Sequence, residues 1–480
     1  MNNVTAILSI VFVPTLGSLI LPILGKISKR LRDIFSFIFV LSSFVLSLKL
    51  IPVVLSGKSI LIQKQFALGL NFTLLADNLA VFMACVSSLI SAIIILFSFD
   101  YISHYENQDE YYSMVTLFLG SMMGLIFSAN LILMYVFWEI TAITSWRLIG
   151  FFREKKQVLK ADKAFLVTFF GALVMLIGFL MIYQITGSFD LPVIKESLGI
   201  RILPSLAVGL ILAGIFSKSA TLPFHTWLPD AGVAPSPVTA LLHAAVLVKI
   251  GVYVFARIFI VNISIATLWH TVIPVVAGVS AIIAAGAALM ETDLKRIIAY
   301  STVSQIGFIF FGLAIGSEVA ITGALLYILM HGLAKAGLFL CAGIIEQNTK
   351  TKDITKLGGL ISTMPVTAVA FLFCAFSVMG IPPFGGFFSK YLVFNGALNT
   401  GKLWIVAIFL IGAFMTIIYL FRVFNLVFLG KANNQAKEGS PVMVLSVVIL
   451  AALSLVAGIL VYFPYSFAQS ATQQMLGLIR

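Results

Sequence analysis

Apolar stretches long enough to cross a lipid bilayer follow one another along the whole 480-residue sequence. Hydrophobic residues make up 61% of the chain, charged residues make up 10%, and the mean hydropathy is +1.11. A helix needs about 20 apolar residues to cross a hydrocarbon core, and in lipid only helices and closed barrels satisfy their own backbone hydrogen bonds. The sequence therefore predicts an all-α polytopic membrane protein without a separate soluble domain.

About fourteen transmembrane helices can be placed from hydropathy. We place them at residues 4–25, 34–55, 77–99, 111–128, 131–151, 163–185, 204–222, 236–260, 268–290, 296–316, 320–346, 363–379 with a broken continuation to 398, 403–429 and 441–463. The first stretch lacks a basic leader and a small-residue cleavage site. We therefore expect a retained helix there, not a signal peptide.

Lysines and arginines are unevenly divided between the predicted loops. Loops after odd-numbered spans hold the larger share: Lys26, Lys29, Arg30, Arg32, Arg153, Lys155, Lys156, Lys160, Lys163, Lys295, Arg296, Lys350, Lys352, Lys356, Lys431 and Lys437. The other side holds Lys58, Lys64, Lys195, Arg201, Arg257, Lys402 and Arg480. By the positive-inside rule the richer side is cytoplasmic, so we predict a multi-pass cell-membrane protein with both termini outside. The net charge of +12 then reflects topology, and nucleic-acid binding is not expected.

Two predicted spans are interrupted by proline. Pro223 and Pro229 break LAVGLILAGIFSKSATLPFHTWLPDA, and Pro382 and Pro383 break GIPPFGGFFSKY about 160 residues later. Paired broken helices indicate a transport site, because unwound backbone is tolerated only where it lines a cavity. With five spans per unit, successive repeats enter the membrane from opposite sides and are inverted. The alternative is two unrelated proline kinks.

These features predict four parts of the chain. They are an N-terminal part with helices 1–3 (1–110), a first repeat with helices 4–8 (111–260), a second, inverted repeat with helices 9–13 (261–430), and a C-terminal part with helix 14 and a tail (431–480).

Charged residues inside the spans are the candidates for function. Lys218 lies in an apolar helix just before the first break, and Glu139 lies well inside the fifth span. A charge at bilayer depth costs about 2.5–3.5 kcal/mol on insertion scales, so such residues are usually functional. A glutamate opposite Lys218 lowers the insertion cost of both, and a proton arriving at one is felt by the other. The alternative is a static ion pair that only fixes helix packing.

Histidines and lysines share two further spans. His243 and Lys249 are six residues apart on one predicted helix, a gap of roughly 9 Å that one water or hydroxyl could bridge. His331 and Lys335 stand on one helix face at i and i+4, beside Gly332, which lets another helix approach. Histidine titrates near neutral pH, so both pairs suit a proton chain. The alternative for each histidine is a satisfied core residue.

With Lys390 after the second break, these residues indicate a row of titratable groups along the membrane midplane, not one catalytic pocket. We find no zinc-binding spacing, nucleophile elbow or phosphate loop. Each of Cys85, Cys341 and Cys374 lies alone in an apolar helix, so we expect core packing there, with no metal or disulfide.

Four segments carry a family resemblance: LPFHTWLPDAGVAPSPVTALLHAAVLVKIGVYVFAR, TDLKRIIAYSTVSQIG, LMHGLAKAGLFLCAG and GIPPFGGFFSKYLVF. They resemble the antiporter-like membrane subunits shared by complex I, Mrp-type sodium/proton antiporters and membrane-bound hydrogenases, from about residue 77 to 419. The resemblance implies fourteen core helices in two inverted five-helix repeats, each with one broken helix.

The resemblance also implies residue roles. Glu139 and Lys218 form the coupled pair of the first half-channel, and Lys249 or His243 is the link. The central relay is His331 with Lys335, and the terminal site is Lys390.

Two departures from the family pattern stand out. Some members carry a long lateral helix after the last span, and the residues after Phe463 leave no room for it. Arg147 stands where many relatives have an apolar or aromatic residue; snorkelling to the cytoplasmic interface is the simplest explanation.

The resemblance predicts a proton-translocating subunit of a complex I-related, redox-driven pump, such as a ferredoxin-linked or hydrogenase-type complex. No redox cofactor site occurs in this chain, so iron–sulfur clusters, with nickel–iron as a further option, are expected in partner subunits. Other membrane subunits, a peripheral redox arm and H⁺ are the expected partners, and transport of Na⁺ stays open. The alternatives are a Mrp-type secondary Na⁺/H⁺ antiporter subunit without redox chemistry, and a structural membrane arm.

Overall fold

The computed structural model describes residues 2–65, 71–431 and 436–478. The helices are α1 (Asn3–Ile27), α2 (Lys29–Leu55), α3 (Asn78–Tyr101), α4 (Gln108–Phe127), α5 (Leu131–Ile149), α6 (Lys155–Thr186), α7 (Leu191–Leu198), α8 (Ser205–Lys218), α9 (Trp227–Asp230), α10 (Ser236–Ala240), α11 (Leu247–Phe255), α12 (Trp269–Met290), α13 (Leu294–Ile315), α14 (Glu318–Thr349), α15 (Pro365–Met379), α16 (Gly385–Leu398), α17 (Leu403–Phe428), α18 (Pro441–Ile459) and α19 (Tyr462–Met475). Strands β1 (Ile60–Gln65) and β2 (Asn71–Ala76) form an antiparallel hairpin.

The predicted polytopic all-α class is confirmed. Within the described ranges, 12 helices are long and apolar enough to cross a membrane, and Ser236–Ile260 counts as one of them. Two shorter apolar helices, α8 and α15, are the first halves of the two predicted broken spans. Helix ends differ from the predicted ones by a few residues, as at α14, which is longer at both ends than predicted.

The two breaks have the same backbone pattern. In the first, the amide of Thr221 donates to the carbonyl of Phe216 at 2.9 Å; in the second, the amide of Ile381 donates to Phe376 at 3.0 Å. Each bond closes a wide turn where a helix ends, so the chain leaves the helix without stranding that amide. A proline follows each turn, Pro223 after the first and Pro382 after the second, and proline has no amide with which to continue the helical hydrogen bonds.

A second matched pair of contacts relates the two halves. Asn130 bridges Asp190 in an antiparallel pair, and Asp293 bridges Asp353 in the same way. Asn130 and Asp293 each cap a helix, α5 and α13, by accepting two backbone amides. Five membrane crossings separate the two bridges, so they lie on opposite faces. This matches an inverted repeat, although the four-part division of the chain stays a prediction.

The titratable row lies in the interior of the molecule. The Ser236–Ile260 span, α13 and α14 are the most enclosed of the long helices, whereas α1 and α2 leave most of their length exposed. The central helix α14 packs against α13, α15, α16, α18 and α19. Water-excluding helices therefore surround the residues that sequence analysis selected in these spans.

The residues after the last span form a short helix, not a lateral one. Helix α19 packs on α14 and α3. Its Gln474 accepts the backbone amide of Asn78 at 2.9 Å, and its Thr472 bonds Thr322 at 3.1 Å. This helix thus covers the first turns of α3 and α14.

The assignment of Arg257 to a loop was wrong. Arg257, counted among the loop charges of the outer side, is buried in a π-helical turn, Ala256–Ile260. Its guanidinium donates to both carboxylate oxygens of Asp77, at 2.5 and 2.8 Å, and to the hydroxyl of Tyr253. The partner lies 180 residues away in sequence, so local pattern could not reveal the pair.

Candidate functional site

Lys218 is fully buried at the last turn of α8. Its ammonium donates to the carbonyl oxygen of Trp138 at 3.1 Å and lies 5.3 Å from the centre of that indole ring. Helix α8 ends at Lys218, where the break begins. The lysine therefore faces α5 from the end of a helix. A carbonyl and an aromatic face stabilise an ammonium without neutralising it.

Glu139 follows Trp138 in α5 and is partly buried. Among the ion pairs of the described residues, none joins Glu139 directly to Lys218, but the two side chains interact electrostatically. Tyr135, one turn earlier, hydrogen-bonds the carboxylate, while Oε1 of Glu139 is buried without a protein partner. The two groups are therefore arranged so that charge on one acts on the other through space. Their assignment as the coupled pair stays a prediction.

His243 and Lys249 lie on the completely enclosed span. A π-helical turn, Leu241–Ala245, contains His243, and its ring lies 4.5 Å from that of Phe339. Both ring nitrogens of His243 and the ammonium of Lys249 are buried without a hydrogen-bond partner in the protein. Single π-helical turns inside α-helices occur frequently at functional sites. Unpaired buried polar atoms are the groups that water or a transferred proton would satisfy.

His331 lies among four other basic groups. It interacts electrostatically with Lys249, Lys335, Lys390 and His243. Both of its ring nitrogens are buried and lack a protein hydrogen-bond partner. His331 is therefore close enough to interact electrostatically with all four groups, and its role as the central relay of the row stays a prediction.

Neutral groups, not carboxylates, accept the hydrogen bonds of Lys335 and Lys390. The ammonium of Lys335 donates to the carbonyl of Ile298 at 3.2 Å and to the hydroxyl of Ser301 at 2.5 Å. The ammonium of Lys390 donates at 2.7 Å to the carbonyl of Val378, across the second break. Both lysines thus have neutral partners, so neither charge is fixed by a carboxylate.

Gly332 provides space beside Lys249. A Cβ atom at this position would lie 3.1 Å from the ammonium of Lys249 and 2.6 Å from Cδ1 of Ile90. The glycine therefore lets Lys249 approach α14 next to His331.

A chain of neutral polar groups accompanies the lysines in the second half, and sequence analysis missed it. Its members are Ser301, Gln305, Tyr327, Thr416 and Tyr419. These five residues are uncharged, whereas the candidates chosen from the sequence were the charged and titratable residues of the spans. The available signal was the spacing of Ser301 and Gln305 at i and i+4 in an apolar helix.

A comparison with known proteins identifies the family. The family model described as "NADH:quinone oxidoreductase/Mrp antiporter, TM" matches residues 128–416, more than half of the chain. The chain belongs to this family. A second model, "NADH-Ubiquinone oxidoreductase (complex I), chain 5 N-terminus", matches residues 65–112.

Relatives of this family member include Na⁺/H⁺ antiporter subunits. A Na(+)/H(+) antiporter subunit of Alkalihalophilus pseudofirmus is 35% identical over 96% of this chain and 62% of the relative. A Na(+)/H(+) antiporter subunit of Staphylococcus haemolyticus is 34% identical over 96% of this chain and 62% of the relative. The chain thus spans somewhat less than two thirds of the length of these relatives.

Two solved structures share the fold of this family member. A chain of the Mrp complex from Dietzia sp. DQ12-45-1b superposes with a TM-score of 0.89 at 22% identity, covering 99% of this chain and 98% of that chain. A chain of the membrane-bound sulfane sulfur reductase (MBS), an archaeal respiratory membrane complex, gives 0.90 at 25% identity over 99% and 98%. The antiporter-like fold is thereby confirmed.

Ion pairs hold the loop that follows the first break in this antiporter-family fold. Asp230, just after the first break, accepts from Lys163 at 2.8 Å and from Arg296 at 2.7 Å. Burial alone would raise the pKa of Asp230, but these two hydrogen bonds outweigh it and lower the pKa below 3.8. Lys295 also donates to the carbonyl of Ala234 at 3.0 Å. The start of α13 thereby holds the loop that follows the break.

Arg147, the departure from the family pattern, also has a structural partner. It pairs with Glu110 of α4, and Arg153 donates to the same carboxylate at 2.5 Å. These ion pairs join the end of α5 to the start of α4, and snorkelling of Arg147 to the cytoplasmic interface stays a prediction.

Metal chemistry has no candidate in the residues the structure describes. No group of three or more His, Cys, Asp or Glu side chains that could hold an ion occurs there. Within the same ranges Cys85, Cys341 and Cys374 are free thiols, the last two buried.

Proposed function

We propose that this chain is a proton-translocating subunit of a multisubunit Mrp-type Na⁺/H⁺ antiporter in the cell membrane. The observation that carries the proposal is the enclosed row of basic groups whose hydrogen-bond partners are carbonyls and hydroxyls, or which have none. A lysine held by neutral groups can release its proton and take another, which a carboxylate-paired lysine resists. Similarity to the Na⁺/H⁺ antiporter subunits of Alkalihalophilus and Staphylococcus supports the same function.

The proposed path uses the predicted residues. Protons enter from the cytoplasm at Lys218, pass the link residues His243 and Lys249, and reach the relay of His331 and Lys335. They leave toward the outside near Lys390. Glu139 gates entry, because its charge acts on the ammonium of Lys218.

The broken helices make this path possible. Pro223 lies between α8 and α9, and Pro382 and Pro383 lie between α15 and α16, whereas Pro229, predicted as part of the first break, lies within the short helix α9. The break frees carbonyls near the helix end to face the interior, as Val378 does toward Lys390.

The test uses two variants of the coupled pair. Lys218→Ala removes the entry site, and Glu139→Gln keeps the shape of the carboxylate while removing its charge. We expect both to abolish Na⁺-driven proton movement in inverted vesicles carrying the complete complex, while the complex still assembles and purifies through a tag on a neighbouring chain. Wild-type proton movement in both variants would contradict the proposal.

A second candidate is the pump arm of a redox-driven complex, favoured by the structural likeness to the MBS chain. In that case iron–sulfur or nickel–iron subunits of a peripheral arm accompany the chain. Gentle purification through a terminal tag, followed by mass spectrometry and iron analysis, separates the two. The antiporter proposal expects only membrane proteins and no stoichiometric iron; redox subunits would establish the second candidate instead.

A further inference from the structure

The neutral polar chain of the second half runs from one buried lysine toward the other. Lys335 donates to Ser301 at 2.5 Å, and the hydroxyl of Tyr419 donates to Ser301 at 2.6 Å. At the other end the hydroxyl of Tyr327 meets Gln305 at 2.6 Å, and the ammonium of Lys390 lies 5.6 Å from the Tyr327 ring centre. If every group in this row could relay a proton, the row would carry a proton from Lys335 to Tyr327, whose ring lies beside Lys390, without using His331.

Gln305 occupies the middle of this row, and its neighbours fix the orientation of its amide. The hydroxyl hydrogen of Thr416 is directed to the carbonyl of Gly412 at 2.8 Å, so the Thr416 oxygen acts as an acceptor. The group that faces it at 3.1 Å must therefore be the NH₂ of Gln305. The carbonyl oxygen of the amide is then left to accept from Tyr327.

An amide in this position does not relay protons. A hydroxyl accepts one proton and releases another, but the carboxamide has a fixed donor end and a fixed acceptor end and does not titrate. Passing a proton through it would require gaining a proton on oxygen while losing one from nitrogen. A proton cannot bypass Gln305 through Thr416, because the Thr416 hydroxyl donates its hydrogen to a main-chain carbonyl.

We infer that Gln305 is an insulating residue, which blocks direct proton transfer between Lys335 and Lys390 and makes His331 the obligatory step. His331 is suited to that step. It lies one turn from Lys335, its ring is 5.9 Å from that of Tyr327, and both ring nitrogens are free of protein partners. The inference rests on the proposed function and adds a residue that determines the route. Gln305 acts on proton transfer by position, not by carrying the proton.

The test replaces the insulator with a titratable side chain of the same shape. In vesicles carrying the complete complex, His331→Gln should lose Na⁺-driven proton movement. Adding Gln305→Glu to that variant should restore it at least about tenfold, since a carboxylate can take and release the proton. The matched control, Gln305→Met in the same background, should restore nothing. Restoration by both substitutions, or by neither, would overturn the inference.

If the double variant fails to fold, the single variants provide a second measurement. Gln305→Glu alone should raise the passive proton leak of the vesicles in the absence of a Na⁺ gradient, and Gln305→Met should not. Equal leak in the two single variants, at equal yield of assembled complex, would count against insulation.

Different results would contradict the role of Gln305 and the proposed function. Full transport in His331→Gln with an inactive Lys218→Ala overturns the inference about Gln305 alone. Full transport in Lys218→Ala and Glu139→Gln overturns the proposed function.

Discussion

Three of the buried lysines donate to main-chain carbonyl oxygens. The pairs are Lys218 with Trp138 at 3.1 Å, Lys335 with Ile298 at 3.2 Å, and Lys390 with Val378 at 2.7 Å. A carbonyl oxygen has no charge to change, so the protonation of each lysine is left to its neighbours. In the first half that neighbour is Glu139, whereas in the second half Lys249 and Lys390 act electrostatically on Lys335.

At the residue scale, Gly332 offers a direct test of how tightly the row is packed. Gly332→Ala would add a Cβ atom 2.6 Å from Cδ1 of Ile90 and 3.1 Å from the ammonium of Lys249, so Ile90 must move and the ammonium must shift slightly. Overpacking of this kind costs about 1–3 kcal/mol. We expect lower thermal stability and reduced proton movement.

The matched control is Gly286→Ala in α12. Its Cβ would meet only Cε of Met415, at 3.8 Å, so nothing has to move. Alanine in a helix is favoured over glycine by about 0.5–1 kcal/mol, so stability should stay equal or rise. Equal losses from the two alanines, measured by thermal unfolding and vesicle transport, would show that space beside Lys249 is unimportant.

At the element scale, the ion pair of Asp77 and Arg257 joins the start of α3 to the end of the Ser236–Ile260 span. Asp77→Asn keeps the helix cap that Asp77 supplies to Ala80, but leaves the buried guanidinium unpaired. Removing one partner of a buried pair costs about 3–5 kcal/mol. Asp77→Asn and Arg257→Met should therefore each lower the melting temperature of the purified protein strongly.

The double variant separates charge from packing. Because Asp77→Asn with Arg257→Met leaves no unpaired charge, it should be more stable than either single variant. If the decrease in melting temperature of the double variant equals the sum of the two single decreases, the two side chains act independently.

The helix breaks show how much of an element can be predicted. Proline lies beside both breaks, but it does not by itself determine a break, because Pro14 and Pro22 lie inside α1 and Pro274 lies inside α12. The loop after the first break could not be predicted, since Asp230 is held by Lys163 and Arg296, 67 and 66 residues away. Ion pairs over such separations depend on how the helices pack.

At the scale of the whole molecule, the orientation in the membrane is the open prediction. Lys195 lies in α7 on the predicted outer side, and Lys431 follows α17 on the predicted cytoplasmic side; both are exposed. In intact cells, a membrane-impermeant maleimide should label Lys195→Cys directly and Lys431→Cys only after permeabilisation. Cys341 and Cys374 are buried, which limits background labelling. The reverse pattern would place both termini inside.

Composition and local pattern alone predicted the membrane class, the approximate spans and the positions of the two breaks. Each follows from hydropathy or from one residue's own chemistry, which neighbours in space do not alter. Only the tertiary structure decided the partners: Trp138 for Lys218 across 80 residues, Asp77 for Arg257 across 180, and Thr416 for Gln305 across 111. The reason is physical, since a hydrogen bond depends on distance and angle, and helix packing sets both.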